Sequence, residues 1–474
     1  MASESRQKLS LFALTGMVVG SMVGAGIFSL PRTFAGATGP IGAVIAWLIA
    51  GTGMFMLARV FQALAERKPD LDAGVFAYAR AGFGDYPGFL SAFGYWIGSC
   101  IGNVSYWVLI KSTLGAFFPV FGQGNTAVAI IVASVGIWLF HTLILRGTQQ
   151  AAVINSIVTV AKIVPILIFI LLLIFAFKLD LFSYNLYVGD LTGSLFEQVR
   201  ATMLVTVFVF LGIEGASVYS RFARERADVG RATILGFIIV TSLMVLVTIL
   251  PYAVLHRAEI AGMRQPSMAQ VLEAVVGHWG AVFVSIGLLV SVLGAYLAWS
   301  LICAEVMFAA ARSKDMPAVF ARENANKVPS VALWATNIVV QVIVITTYWS
   351  RDAFALMLNL TSVMNLIPFL LVAAYGLQLI RRGETYEVPA ERRRDQIITT
   401  IATAYTAFLL FAAGLKFILL SAVLYAPGTA LYLWARREQG KPVFIRLWDW
   451  VIFVLAILGA VVGIYQLATG AIQI

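Results

Sequence analysis

The sequence predicts an all-α polytopic membrane protein of about thirteen transmembrane helices, with helices 1 and 6 broken. Ten of these helices are read as two inverted units of five, a 5+5 inverted-repeat fold. Three observations predict this class. Of the 474 residues, 61% are hydrophobic and 12% are charged, whereas a soluble domain carries about 25% charged residues. Apolar runs long enough to cross a bilayer, about 20 residues each, recur along the chain. Two of them, the first and the sixth, are interrupted by glycine where a lipid-spanning helix should be most regular.

The runs lie at about 9–36, 41–66, 84–118, 126–145, 151–178, 198–222, 231–256, 281–312, 331–349, 353–380, 397–414, 416–437 and 447–470. The run from Ile397 to Trp434 is too long for one span, and Gly414-Leu415-Lys416 is its only polar break. Placing the N-terminus inside puts 23 of the 33 Lys and Arg residues in the inner segments, as the positive-inside rule requires. An odd helix count then places the C-terminus outside. The first five helices start from one side and the next five from the other. The chain therefore divides into a first repeat over 9–178, a second over 198–383, and accessory helices over 397–470. The accessory helices are expected to serve as scaffold or subunit contact, a homodimer, against membrane lipid. The stretch from His256 to Trp279 is expected outside, where capping the vestibule is the lesser of its readings.

No cleavable signal is read ahead of the first run, and no soluble domain at either end. The net charge of +10 follows from basic inner loops and does not imply nucleic acid. Cys100 and Cys303 sit in apolar runs and read as small buried thiols. His141, His256 and His278 are scattered towards membrane edges. The sequence offers no nucleotide loop, metal-ligand cluster or catalytic triad, so no cofactor and no metal are expected, and an enzyme is not.

The first interruption is Gly20-Ser21-Met22-Val23-Gly24-Ala25-Gly26-Ile27-Phe28. Each glycine costs a helix about 1 kcal/mol against alanine, and a loosened backbone at this depth must face protein or a cavity. With the N-terminus inside, the outer half-helix points its N-terminus at the midplane. The N–H groups of Gly24, Ala25 and Gly26 then suit a carboxylate. The second interruption is Phe208-Val209-Phe210-Leu211-Gly212-Ile213-Glu214-Gly215-Ala216-Ser217. Here an outer half-helix ends, and carbonyls of Phe208, Val209 and Leu211 suit an α-ammonium. Together the pair fits a zwitterion such as an α-amino acid. For either stretch alone, close packing of small residues is an equal reading.

Glu214 lies inside the second break, where an ionised carboxylate costs about 2.5 kcal/mol or more. It reads as a proton relay or gate, or else as a neutral acid capping the broken helix. Lys162 is roughly 16 Å into the fifth helix by helical rise. It reads as an ammonium pinned on carbonyls of the first break, in place of a sodium ion, or as one half of a structural pair. Glu305 could face a cationic substrate or pair near the inner end. Trp299, Trp96, Tyr106 and Phe208 are aromatic candidates for a cavity wall. Lys111, Arg59 and Arg32 read as snorkelling residues near helix ends.

At these residues the sequence resembles the basic amino acid/polyamine antiporters of the amino acid–polyamine–organocation superfamily. The likeness is greatest to bacterial arginine/ornithine antiporters of the arginine deiminase pathway. It is carried by Val19 to Pro31 and by Phe210 to Ser217. Glu66-Arg67-Lys68-Pro69, Ala81-Gly82-Phe83-Gly84-Asp85 and Arg322-Glu323-Asn324-Ala325-Asn326 add to it. The resemblance implies a LeuT-like fold in the bacterial cytoplasmic (inner) membrane. It implies substrate contacts at Ser21, Met22, Ala25, Gly26, Leu211, Asn103, Trp299 and Thr361, a gating role for Glu214, and Lys162 as the substitute for sodium. Phe208 departs from the tryptophan of arginine/agmatine exchangers, which weakens the expected stacking on a guanidinium.

The function implied is sodium-independent exchange of external L-arginine for internal L-ornithine by alternating access. The alternatives are a proton-coupled symporter for lysine or arginine using Glu214, an arginine/agmatine-type exchanger, and a substrate sensor built on a transporter fold.

Overall fold

The structure is a computed structural model describing residues 10–71, 75–147, 151–187, 193–213, 226–350 and 352–473. Glu214, the predicted gate, lies outside the described residues. Among the described residues the chain is helical throughout, with no strand. In chain order the helices are α1 (Leu11–Met22), α2 (Leu30–Ala37), α3 (Pro40–Arg67), α4 (Val75–Phe83), α5 (Asp85–Phe117) and α6 (Ala127–Leu145). Then come α7 (Ala151–Phe175), α8 (Leu179–Tyr187), α9 (Leu195–Phe210), α10 (Arg226–Ile249), α11 (Arg257–Gly262) and α12 (Ser267–Val276). The chain continues through α13 (His278–Arg312), α14 (Ser330–Thr346), α15 (Ala353–Arg382), α16 (Pro389–Glu438) and α17 (Leu447–Ala468).

Among the described residues, seven helices are long and apolar enough to cross a bilayer, or nine if each of two bent pairs is one span. The first bent pair is Leu14–Met22 with Ala25–Ala37, at 48°. The second is Ala161–Phe175 with Leu179–Leu186, at 98°. The chain is thus a multi-pass membrane protein. Gly414, expected as the divide in the long C-terminal run, is non-helical inside α16 (φ 73°, ψ 165°).

The chain forms two compact units, each drawing helices from both halves of the sequence. One comprises the described residues of Met1–Pro69 and Thr159–Ser291. Its core is an aromatic column. Phe34 of α2 stacks on Trp47 of α3 at 5.3 Å, Trp47 meets Phe210 of α9 edge-on at 6.0 Å, and Phe210 stacks on Phe237 of α10 at 5.3 Å. The column fixes the end of α9 against α2 and α3. A capping box of Ser194 and Glu197 starts α9, satisfying N–H groups that helix starts leave open.

The other unit comprises the described residues of Asp70–Val158 and Val292–Ile474. Helix α5 is its axis and is buried along nearly all of its length. Some of its polar side chains are matched by neighbours. The Trp96 indole donates to Thr336 Oγ1 at 3.0 Å, and the Tyr86 hydroxyl pairs with Thr429 Oγ1 at 3.0 Å. Lys111 does not snorkel. It is 1% exposed, and its ammonium donates to Thr347 Oγ1 at 2.8 Å. His141, read at a membrane edge, is buried and meets Asn337 Nδ2 through Nδ1 at 3.0 Å. A charge cluster closes one end of the unit. Arg436 binds Asp85 at 2.8 Å, and Arg80 bridges Asp85 at 3.1 Å and Asp315 at 3.3 Å. Helix α17 leaves a broad apolar face exposed, including Trp448, Leu455 and Val461, as a lipid-facing helix would.

Candidate functional site

In the first unit the first predicted break is formed, and α9 ends where the second was expected, its residues 214–217 lying outside the described ones. Helix α1 makes its last regular bond from Val23 N to Val19 O, at 2.9 Å. Gly24 is then extended (φ −106°, ψ −159°), and a 3-10 turn over Ala25–Ser29 leads into α2. Gly24 provides no side-chain cap to this turn. The opening N–H groups of a helix have no intrahelical acceptor, so those of Gly24, Ala25 and Gly26 carry the positive end of the turn. Pro31 in the first turn of α2 removes a donor that would be unused there.

Helix α9 ends at Phe210. Leu211 leaves helical geometry (φ −57°, ψ 136°), and Gly212 takes φ +102°. The carbonyls of Phe208 and Phe210 are taken by Leu211 N at 3.4 Å and Ile213 N at 3.2 Å. Among the described residues, no backbone donor outside the helix reaches the carbonyl of Val209 or Leu211.

The two breaks lie against each other. A Cβ on Gly26 would stand 2.6 Å from Val209 Cγ1 and 2.8 Å from Phe208 Cδ1, so only glycine allows this approach. A Cβ on Gly212 would stand 2.5 Å from the Ser21 carbonyl oxygen. The Ser21 hydroxyl spans both breaks, its one proton shared between Val18 O at 2.8 Å and Gly212 O at 3.3 Å. Met22, Phe208 and Leu211 are buried beside them. Lys162, 3% exposed, donates its ammonium to the carbonyl oxygen of Gly20. That carbonyl belongs to the last turn of α1, the negative end of its half-helix. A fixed cation therefore sits where the helix would otherwise present unpaired oxygens.

The second unit brings together another set. Asn103 of α5 is fully buried, and its Nδ2 faces Ser300 Oγ at 3.5 Å and Cys303 Sγ at 3.7 Å. Among the described residues its Oδ1 has no partner, and neither does Thr361 Oγ1 of α15. The two helices touch at this level, where a Cβ on Gly102 would lie 3.4 Å from Thr361 Cγ2. A buried acceptor without a partner is costly, by about 1–3 kcal/mol, and these two atoms are accordingly free to accept from a bound donor. Trp299 is half-buried, one residue before Ser300 on α13. Glu305 is exposed on the same helix. Trp96 is engaged with Thr336, and Tyr106 is buried. No group of three or more metal-ligating side chains occurs among the described residues.

A family profile described as amino acid permease matches residues 9–428. The chain belongs to the amino acid permease family. Whole-length relatives agree. This permease is 54% identical to a Pseudomonas aeruginosa protein named arginine/ornithine antiporter, over 99% of each chain. It is 41% identical to the L-lysine transport protein of Corynebacterium glutamicum, over 100% of this chain and 98% of that one. It is 38% identical to an arginine/agmatine antiporter of Chlamydia pneumoniae, over 100% and 99%. Two partners of Asn103 escaped sequence reasoning, Ser300 and Cys303. Their only signal is helical spacing, one and four residues after Trp299, and ordinary packing produces the same pattern.

Proposed function

We propose that this permease is a sodium-independent antiporter that imports L-arginine in exchange for L-ornithine by alternating access. The relative at 54% identity, named for that exchange, supports the substrate pair. The observation that carries the mechanism is the pair of breaks packed on each other, with the Lys162 ammonium on the Gly20 carbonyl. In this reading the turn at Gly24, Ala25 and Gly26 takes the α-carboxylate. The end of α9, at the carbonyls of Val209 and Leu211 with Phe208 beside them, takes the α-ammonium. Lys162 supplies the charge that sodium would supply. In the second unit, Asn103 and Thr361 offer acceptors to a cationic group, Trp299 an aromatic face to an aliphatic chain, and Glu305 a charge that favours a cation. Arginine and ornithine both carry +1 at neutral pH, so one-for-one exchange is electroneutral. Glu214 is the gating and proton-linked group.

The same reading extends to the architecture. If α5, α9 and α14 also span, α1 with α2 and α7 with α8 each count once, and α16 counts twice at Gly414, the helices number thirteen. Two inverted repeats then occupy 9–178 and 198–383, and 397–470 is the accessory region. The N-terminus is inside, the C-terminus outside, and the membrane is the bacterial inner membrane.

The rival reading is a proton-coupled symporter for lysine or arginine; the 41% identity to a protein named L-lysine transport protein bears on its substrate alone. An imposed pH gradient across vesicles without internal substrate separates the two. Labelled arginine should not accumulate, and gradient-driven uptake would establish the rival. Competition by a panel of cationic amino acids and diamines for labelled arginine then fixes the substrate range.

A further inference from the structure

The chain between α10 and α13 grips the short helix that follows the first break, and one side chain makes the connection to the carboxylate-binding turn. Gln265, 6% exposed, donates from Nε2 to the Ser29 carbonyl at 3.2 Å and to Thr33 Oγ1 at 3.3 Å. Its Oε1 accepts from Ser267 N at 3.0 Å. The Ser267 hydroxyl oxygen, fully buried, accepts in turn from Arg32 N in the first turn of α2, at 3.1 Å. Within the turn, Ser29 Oγ donates to the Gly26 carbonyl at 2.6 Å. Gln265 is thus one residue removed from Gly26. The far end of α2 is held as well. Arg257 Nη1 donates to the Ala35 carbonyl at 2.7 Å, and Ile260 packs with Ala35 and Tyr252.

A helix of eight residues is far below the length at which helices are stable alone. Backbone N–H groups bind an anion well only if their direction is fixed beforehand, since any ordering on binding subtracts from affinity. The turn has no cap of its own at Gly24, so its orientation must come from partners elsewhere.

We propose that Gln265 is a positioning residue for the carboxylate subsite: it ties the 3-10 turn and the first turn of α2 to the α11–α12 segment, so that the N–H groups of Gly24, Ala25 and Gly26 stay aimed at the substrate. This rests on the reading of that turn as the carboxylate site. The arrangement gives Gln265 an effect on one end of the substrate and not the other.

The test is arginine–ornithine exchange by the full-length permease in proteoliposomes, with Gln265→Met, which keeps the side-chain volume and removes the donors. Ser267→Ala removes the second anchor from the opposite side. Both variants are to elute from size exclusion as the wild type does. The expected result is a KM for external arginine raised about fivefold or more with kcat within about twofold. Inhibition by agmatine, which has the guanidinium and lacks the carboxylate, is expected to be unchanged. Equal loss of arginine and agmatine recognition, an unaltered arginine KM, or a fall in kcat alone would overturn the positioning role. If agmatine inhibits the wild type as strongly as arginine does, the carboxylate subsite itself fails, whatever Gln265 does.

Discussion

At the scale of single residues, the site depends on contacts that leave no room for a methyl group. A Cβ on Gly26 would meet Val209 at 2.6 Å. Overpacking of this kind costs about 1–3 kcal/mol, and the relief available is to push the turn off the end of α9. Gly26→Ala is therefore expected to raise the arginine KM about tenfold or more, measured in exchange assays on protein that still elutes as a single species. Lys162→Met leaves the Gly20 carbonyl without its ammonium, a loss of about 1–3 kcal/mol for a buried acceptor. It should reduce sodium-free exchange about tenfold or more, while arginine binding measured by calorimetry falls less. Phe208→Trp offers a larger π-face, worth about 0.5–1 kcal/mol to a cation. It should shift competition in favour of arginine over ornithine by a few-fold. Glycine at mid-span and lysine at depth both break the pattern a bilayer imposes, so both were legible in the sequence. Gln265, Ser300 and Cys303 break no pattern. Gln265 meets Ser29 across 236 positions, and no local signal encodes that meeting.

At the scale of elements, the interruption of helix 1 was predictable because glycine spacing and apolar length conflict. Its form, an extended Gly24 followed by a 3-10 turn, is set by the facing end of α9. The grip of α11 and α12 on α2 was not foreseen, because polar contacts to backbone carbonyls carry no sequence signature. Of the charge cluster, only the basic members were legible, as residues of inner segments. Within it, burial pushes the Asp315 carboxyl up to about 7, against the pull of the Arg80 guanidinium. A carboxyl whose folded value is raised favours folding while it is protonated, and that contribution is lost as pH rises through about 7. The purified protein should thus melt a few degrees higher at pH 6 than at pH 8, by roughly the shift of 1 kcal/mol. Asp315→Asn should flatten that slope. A variant that keeps the wild-type slope would place the titrating group elsewhere.

At the scale of the whole molecule, the membrane class and the family followed from composition and two motifs. The division into two compact units did not follow, since each unit takes helices from both halves of the chain. Hydropathy marks which segments enter lipid and is silent on which of them pack together. The central claim is obligatory exchange without sodium. Its most direct test is uptake of labelled arginine into proteoliposomes in sodium-free buffer, with and without ornithine inside. The account predicts an initial rate at least about tenfold greater with internal ornithine, unchanged when sodium is added. Equal rates with and without internal ornithine, or a requirement for sodium, would contradict it.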